Sequence, residues 1–306
     1  MKKTLIAILA LAAVACNKAD VIDTNPGEAI AFGDAFVDNA TKATDPSYNA
    51  TSLTQFKVYG TVEGVNIYNG NTVSKGNAEY GKAWTVSEAP TQYWIVGANY
   101  IFDAVVDATE VVTDGATGLP TTLKYNTNTQ KDMLHQRVTT VGKPTTNEGL
   151  VAFTFTHLLS KVKFTVENTT AETATDYRYT ISEIAITGAN LTGDYAIAGT
   201  WSNVATGNYA IPNISVASNA TEECAAEVLL IPGTNKVGMT FKVNVEMYNG
   251  SEWKTITTTT KTYTDVIALA ANTAYNFTVT VGLDDQIQFT AKPVNGWTEN
   301  AATPLQ

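Results

Sequence analysis

Cys16, Cys224, His135 and His157 are the whole thiol and imidazole supply of this 306-residue chain, and they bound the chemistry it could do. Neither histidine lies in a metal-ligand spacing such as His-Glu-x-x-His, so neither a metal site nor a cofactor is read. No glycine-rich phosphate loop leads into a helix, and no Gly-x-Ser-x-Gly turn presents a nucleophile. His157 closes a strand-like run and reads as a structural residue near a strand end, with a general base as the alternative. A glycosidase carboxylate pair leaves no local signature, because its members are far apart along the chain, so a surface hydrolase stays as a third class. Two cysteines do not make a disulfide framework.

The chemistry best supported is acylation of Cys16. Lys2 and Lys3 precede an apolar run from Leu5 to Val14, and Ala15 then leads into Cys16, which is the order of a secretory signal peptide. A helix needs roughly 20 apolar residues to span a bilayer, and this run is shorter, so it is read as processed and not as spanning. Ala13-Val14-Ala15-Cys16 resembles a bacterial lipobox, with Ala13 where leucine is usual. Residues 1–15 are therefore expected to leave, and lipid on Cys16 to anchor the protein to a membrane. Each buried methylene adds about 0.8 kcal/mol, so several acyl chains suffice without a transmembrane helix. The alternative is a plain signal peptide with an incidental cysteine. Residues 17–27 read as a short polar tether.

The elements that must position any site are strands. Net charge is −10 with only 16% charged residues, which argues against nucleic acid and against adsorption to anionic lipid. Thr, Asn, Val and Tyr are abundant, as in an extracellular β protein. Apolar residues recur with period two at 53–59, 93–96, 100–106, 151–156 and 162–166. The same pattern returns at 177–186, 228–231, 241–247, 253–260 and 275–281. Asn249-Gly250 predicts a tight primed hairpin turn, with Asn69-Gly70 and Asp114-Gly115 as weaker cases. Short helical turns are expected near 131–136 and 268–271. Strands of this number predict an all-β chain of two antiparallel β-sandwiches, divided near His157, where 150–167 reads as one long strand passing between them.

Taken in order, certain segments resemble the fimbrillins, the subunits of type V pili. They are Ile30-Ala31-Phe32, Ala40-Thr41-Lys42-Ala43, Phe56-Lys57-Val58-Tyr59-Gly60, and Trp94 followed by Tyr100-Ile101-Phe102-Asp103-Ala104. The match continues through 153–162, Leu229-Leu230-Ile231-Pro232, Ile287-Gln288-Phe289 and Val294-Asn295-Gly296-Trp297. The resemblance implies an exported lipoprotein with two tandem transthyretin-like domains: a lipidated propeptide with a strand at 16–42, a first sandwich at 43–157 and a second at 158–306. It also implies a processing protease that cuts between Lys42 and Ala43, with lysine where the family has arginine. Other fimbrial subunits would be the partners in a head-to-tail polymer, with the outer membrane reached through lipid and host or bacterial surfaces as ligands. The product would be a surface fimbria serving adhesion and biofilm, with no enzymatic activity.

The residues fit strand exchange on their own terms. Ile30, Phe32 and Phe36 fall on one face of a segment that Asp34 interrupts, so the segment is expected to dock as a half-buried strand and to be displaced after cleavage. Near the C-terminus, Ile287 and Phe289 repeat the isoleucine-x-phenylalanine step, and Ala291, Val294 and Trp297 extend it into a candidate donor strand. The expectation is that both segments compete for one groove; the alternative is a pair of ordinary edge strands. A second functional class is a glycan-binding lipoprotein, with Trp84, Trp94, Trp201 and Trp253 as stacking platforms.

Overall fold

Alternating side chains become strands throughout the computed structural model, which describes residues 27–37, 53–75, 84–169, 177–216, 220–223, 227–282 and 287–294. In chain order come β1 (Phe32–Val37), β2 (Gln55–Val62), β3 (Val65–Ser74), β4 (Thr85–Val86), β5 (Asn99–Val106), β6 (Glu110–Thr113), β7 (Pro120–Asn126), β8 (Leu134–Val141) and β9 (Val151–His157). Then follow β10 (Ser160–Asn168), β11 (Tyr177–Ala196), β12 (Thr200–Ile211), β13 (Ile214–Val216), β14 (Ala220–Glu223) and β15 (Val228–Leu230). The last four are β16 (Lys236–Tyr248), β17 (Trp253–Ala268), β18 (Thr273–Val281) and β19 (Gln288–Val294). Among the described residues the helical pieces are single 3-10 turns at Thr127–Thr129 and Asn147–Gly149. They do not fall at 131–136 or 268–271, where helical turns were expected.

The first sheet has the order β1-β9-β8-β5-β2-β3-β4. Phe32 in β1 also bridges Trp84, just before β4, so the two ends of this sheet meet and it rolls around a core of its own. A second sheet, β14-β10-β18-β19 with β15 also on β10, and a third, β17-β16-β11-β7-β6 with β12 and β13 also on β11, enclose another core. Two pairings depart from the antiparallel expectation: β1 runs parallel to β9, and β10 parallel to β18. Tight hairpins force antiparallel neighbours, whereas these partners are far apart in sequence and free to run either way.

The junction also differs from a single continuous strand. β9 ends at His157 in the first sheet and β10 begins at Ser160 in the second, with Leu158 and Leu159 between them. Both leucines are buried in a third core with Tyr59, Val105, Leu123, Tyr125, Met133, Leu229 and Ile231. Consecutive buried side chains cannot both face one side of a regular strand, so the pleat breaks there. β6 and β7, which fall within 43–157, extend the third sheet, because β7 pairs with the second half of β11. The first sheet is thereby tied to the later strands by shared backbone as well as by packing.

Polar groups inside the first sheet are matched across strands. Asp103 on β5 is fully buried opposite Arg137 on β8, and its carboxylate accepts from Arg137 Nε at 2.9 Å and Nη2 at 2.7 Å. His135 Nε2 lies 2.8 Å from the same carboxylate. His157 Nδ1 lies 2.7 Å from Asp132 Oδ2, and both side chains are buried. Removing one member of such a group leaves the others desolvated without their counter-charge. Asp103→Ala is expected to lower stability by about 2–4 kcal/mol, seen as a lower denaturant midpoint with an unchanged slope.

Candidate functional site

The first strand is held on both sides. Val151 N–H donates to Ala31 O at 2.9 Å from the β9 side, while Trp84 N–H donates to Phe32 O at 2.8 Å and Ile30 N–H donates to Gln92 O at 2.8 Å from the other. Phe32 is completely buried, and its ring meets four others: Tyr68 at 5.6 Å, Phe102 at 5.8 Å, Phe153 at 6.0 Å and Phe56 at 6.3 Å between centroids. Those four rings come from β3, β5, β9 and β2, so one side chain is shared by most of the sheet. Burial pushes the Tyr68 phenol up to about 12, so that pocket stays uncharged at any physiological pH.

Ile30 is buried with Phe32, as the alternation predicts, but the next buried apolar residue is Ala35, an odd step further on. The register against β9 shifts between Phe32 and Ala35, which is a bulge. Gly33 permits it: a Cβ there would sit 2.9 Å from the Leu150 Cβ. Phe36 is paired through its backbone with Thr154, and its side chain lies outside the described residues. Ile30, Phe32, Gly33 and Ala35 are buried and Ala31 is half-buried, so the described part of the segment is covered on more than the one face expected, and the parity changes at Gly33-Asp34.

The last strand is attached differently. β19 pairs with β18 alone, among the described residues, and forms an edge. Phe289 is half-buried against Tyr263 at 4.9 Å, Phe277 at 5.7 Å and Phe241 at 6.5 Å. Ile287 and Ala291 are also half-buried on that core, and Tyr263 O–H donates to Ile287 O at 3.2 Å. Pro293, without an N–H, sits opposite Tyr275, a placement that suits an edge strand. Within this chain β1 and β19 occupy separate grooves, so any competition between them has to be between chains. Val294 is paired with Ala274 through its backbone, and its side chain is outside the described residues, as are Cys16, Lys42, Ala43, Cys224 and Trp297.

The other candidates from the sequence do not converge. Trp84 and Trp94 are buried in the first core. Trp201 packs at 5.3 Å against Tyr195, and Trp253 is half-buried between Tyr248 and the Arg178 guanidinium, which lies 4.6 Å over its ring. These four do not make a coplanar exposed face for a sugar. No group of three or more metal-ligating side chains occurs among the described residues.

The described residues form a nearly all-β scaffold, and the family it matches is one of structural, adhesion-type proteins. The sequence model of the fimbrillin-like family matches residues 41–297, and the chain belongs to that family, whose place is the cell-surface fimbrium. Solved structures with the same fold include a fimbrial protein from Bacteroides vulgatus, 14% identical, with TM-score 0.57, covering 88% of this chain and 99% of that one. A candidate cell adhesion protein from Bacteroides uniformis, 19% identical, has TM-score 0.55 over 88% of this chain and 99% of its own. None of the curated proteins matches this sequence.

The contrast between the two strands is measurable. Phe32→Ala removes a fully enclosed ring and is expected to cost about 3–5 kcal/mol. Phe289→Ala, losing half-buried surface only, is expected to cost about 1–2 kcal/mol. Equal costs in denaturant unfolding would contradict the enclosed-versus-edge distinction.

Proposed function

We propose that this fimbrillin is a subunit exported as a lipoprotein acylated on Cys16, cut between Lys42 and Ala43, and polymerised by exchange of its first strand for the last strand of another copy. The observation that carries the proposal is Phe32: a completely buried ring on a strand that lies a few residues before Lys42. Intact, β1 is held by covalent continuity as well as packing. Cut after Lys42, it is held by packing and hydrogen bonds alone, and its departure opens a groove lined by Phe56, Tyr68, Phe102 and Phe153 with unpaired backbone on both sides. Such an edge favours a replacement strand.

β19 supplies the matching step. Ile287 and Phe289 repeat the spacing of Ile30 and Phe32, and leaving β18 gives up only half-buried contacts. Burial of each such side chain in the enclosed groove is worth roughly 1.5–3 kcal/mol, more than its edge position provides. Beyond Phe289 the two strands differ, since Ala291 follows in regular alternation where β1 has a bulge; Val294 and Trp297 would extend the donor past that point. The contact is head-to-tail and does not close on itself, so it builds a filament. Adhesion and biofilm follow from a fibre displayed on the surface.

Incubating the purified precursor with a trypsin-like protease should give a new N-terminus at Ala43 by mass spectrometry and ladders on unboiled SDS gels. Lys42→Gln should abolish that cut. A chain lacking 285–306 should be cut and remain monomeric, with its unfolding midpoint confirming that it is folded. Ladders from the truncated chain would falsify donation by β19.

A further inference from the structure

Five exposed apolar side chains gather at one end of the first sheet. Val65 follows the turn between β2 and β3; Tyr93, Ile95 and Val96 precede β5; Val141 ends β8. The backbone places these turns side by side: Glu63 N–H donates to Asn99 O at 2.9 Å, Asn99 pairs with Val141, and Gly142 N–H donates to Ala98 O at 2.7 Å. Val96 is 98% exposed, Val141 66%, Val65 57% and Ile95 53%. Single exposed aliphatics are ordinary on any surface, but here four stand on adjoining turns around one rim of the sheet, with a tyrosine beside them.

The patch is built, not frayed. Tyr100 Oη accepts from Ile95 N–H at 2.7 Å and donates to Tyr93 O at 3.4 Å. Between them Trp94 turns inward, edge-on to Tyr100 at 4.8 Å and to Phe102 at 6.1 Å. Inside that anchor, Ile95 and Val96 are held facing water.

The N-terminal chain leaves from the same end. Trp94 N–H donates to Glu28 O at 2.9 Å, and Gly27 abuts the loop so closely that a Cβ would lie 2.7 Å from Trp94 O. Ten residues, 17–26, separate Gly27 from Cys16. They span at most about 36 Å when fully extended. This step rests on the proposed acylation of Cys16, which would hold this end of the sheet within that reach of a bilayer. The charges nearby include the carboxylates Glu28, Glu63 and Glu148, the last next to Gly149, which the Lys143 side chain abuts, and the cation Lys143, which is ion-paired with Glu28. A weakly acidic rim suits an uncharged headgroup surface and not an anionic one.

We propose that this end is a membrane-contact surface: Val65, Ile95, Val96 and Val141 enter the interfacial layer of the bilayer that anchors Cys16, with Tyr93 at headgroup level. The contact sets which end of the uncut subunit faces the membrane. Once the chain is cut after Lys42, Cys16 and its tether are no longer covalently joined to the body, and the aliphatic contact alone is too weak to retain it.

The test uses the acylated full chain with Cys224→Ser and an environment-sensitive dye on Val96→Cys, or on Ser251→Cys in the far turn as a control, bound to phosphatidylcholine vesicles carrying nitroxide lipid. Emission from position 96 is expected to shift to the blue and to fall by about half, with position 251 unchanged. Mass spectrometry of the N-terminal peptide reads acylation separately. An acylated protein with an unquenched dye at 96 overturns this inference and leaves the anchor standing; an unmodified Cys16 overturns both. A blue shift that depends on protein concentration without vesicles assigns the patch to a second copy and also overturns it.

Discussion

The ring of Phe32 packs across four strands of the first sheet. Its neighbours stand on β2, β3, β5 and β9, and its backbone links β9 to the segment before β4, so the first sheet closes only when β1 is in place. A closed sheet has no free edge at that point, and an opened one has two. The same strand that completes the fold is therefore the one whose loss would make the surface reactive toward another strand.

The rest of the chain is organised so that the first sheet does not depend on β1 for its attachment. β7 carries the sheet system across to β11, and the third core buries Tyr59 and Val105 from the first sheet against Leu229 and Ile231. Gln130 reinforces this by imitating a strand: its side-chain amide donates to Leu229 O at 3.1 Å and accepts from Leu229 N–H at 2.9 Å. Thr127 adds a hydrogen bond of 2.6 Å to Leu191 O. None of these contacts involves residues 28–37, so the junction between the cores does not rest on β1.

What the sequence made legible was local. Phe153 and Phe155 alternate with exposed threonines and become the inner face of β9, as their period predicts. Pairing partners were hidden, because a period of two says which side chains face inward and nothing about which strand lies alongside; hence both parallel pairs and the transfer of β6 and β7 to the third sheet. Turn chemistry misled in instructive ways. Asn249-Gly250 does join β16 to β17, but through a four-residue loop in which Asn249 Oδ1 accepts from Ser251 and Glu252 N–H, with positive φ at Gly250 alone of the two. Asn69-Gly70 is a bulge inside β3, while the two-residue turn with positive φ at both positions is Glu63-Gly64, which glutamate disguises. Gly188, at a register shift, made β11 look finished at 186, although the strand continues to Ala196. Residues 93–96 looked like a strand and form a pinned loop. β12 carries no legible alternation, because most of its side chains are exposed on both faces.

The order of assembly within one chain bears on the proposed removal of β1. β1 is made first but pairs with β9, far along the chain, so its docking closes a long loop and is entropically late. By contrast β2, β3, β5 and β8 pair antiparallel with near neighbours in the sheet order and bring Phe56, Tyr68 and Phe102 together without β1. Phe153 joins through β9, which touches β8 over two residue pairs. A groove whose walls form before its occupant arrives is still a groove when the occupant leaves. In the proposed exchange β2, β3, β5 and β8 would keep their pairing, while residues 151–155 of β9, which pair with β1 and not with β8, would take up the incoming strand.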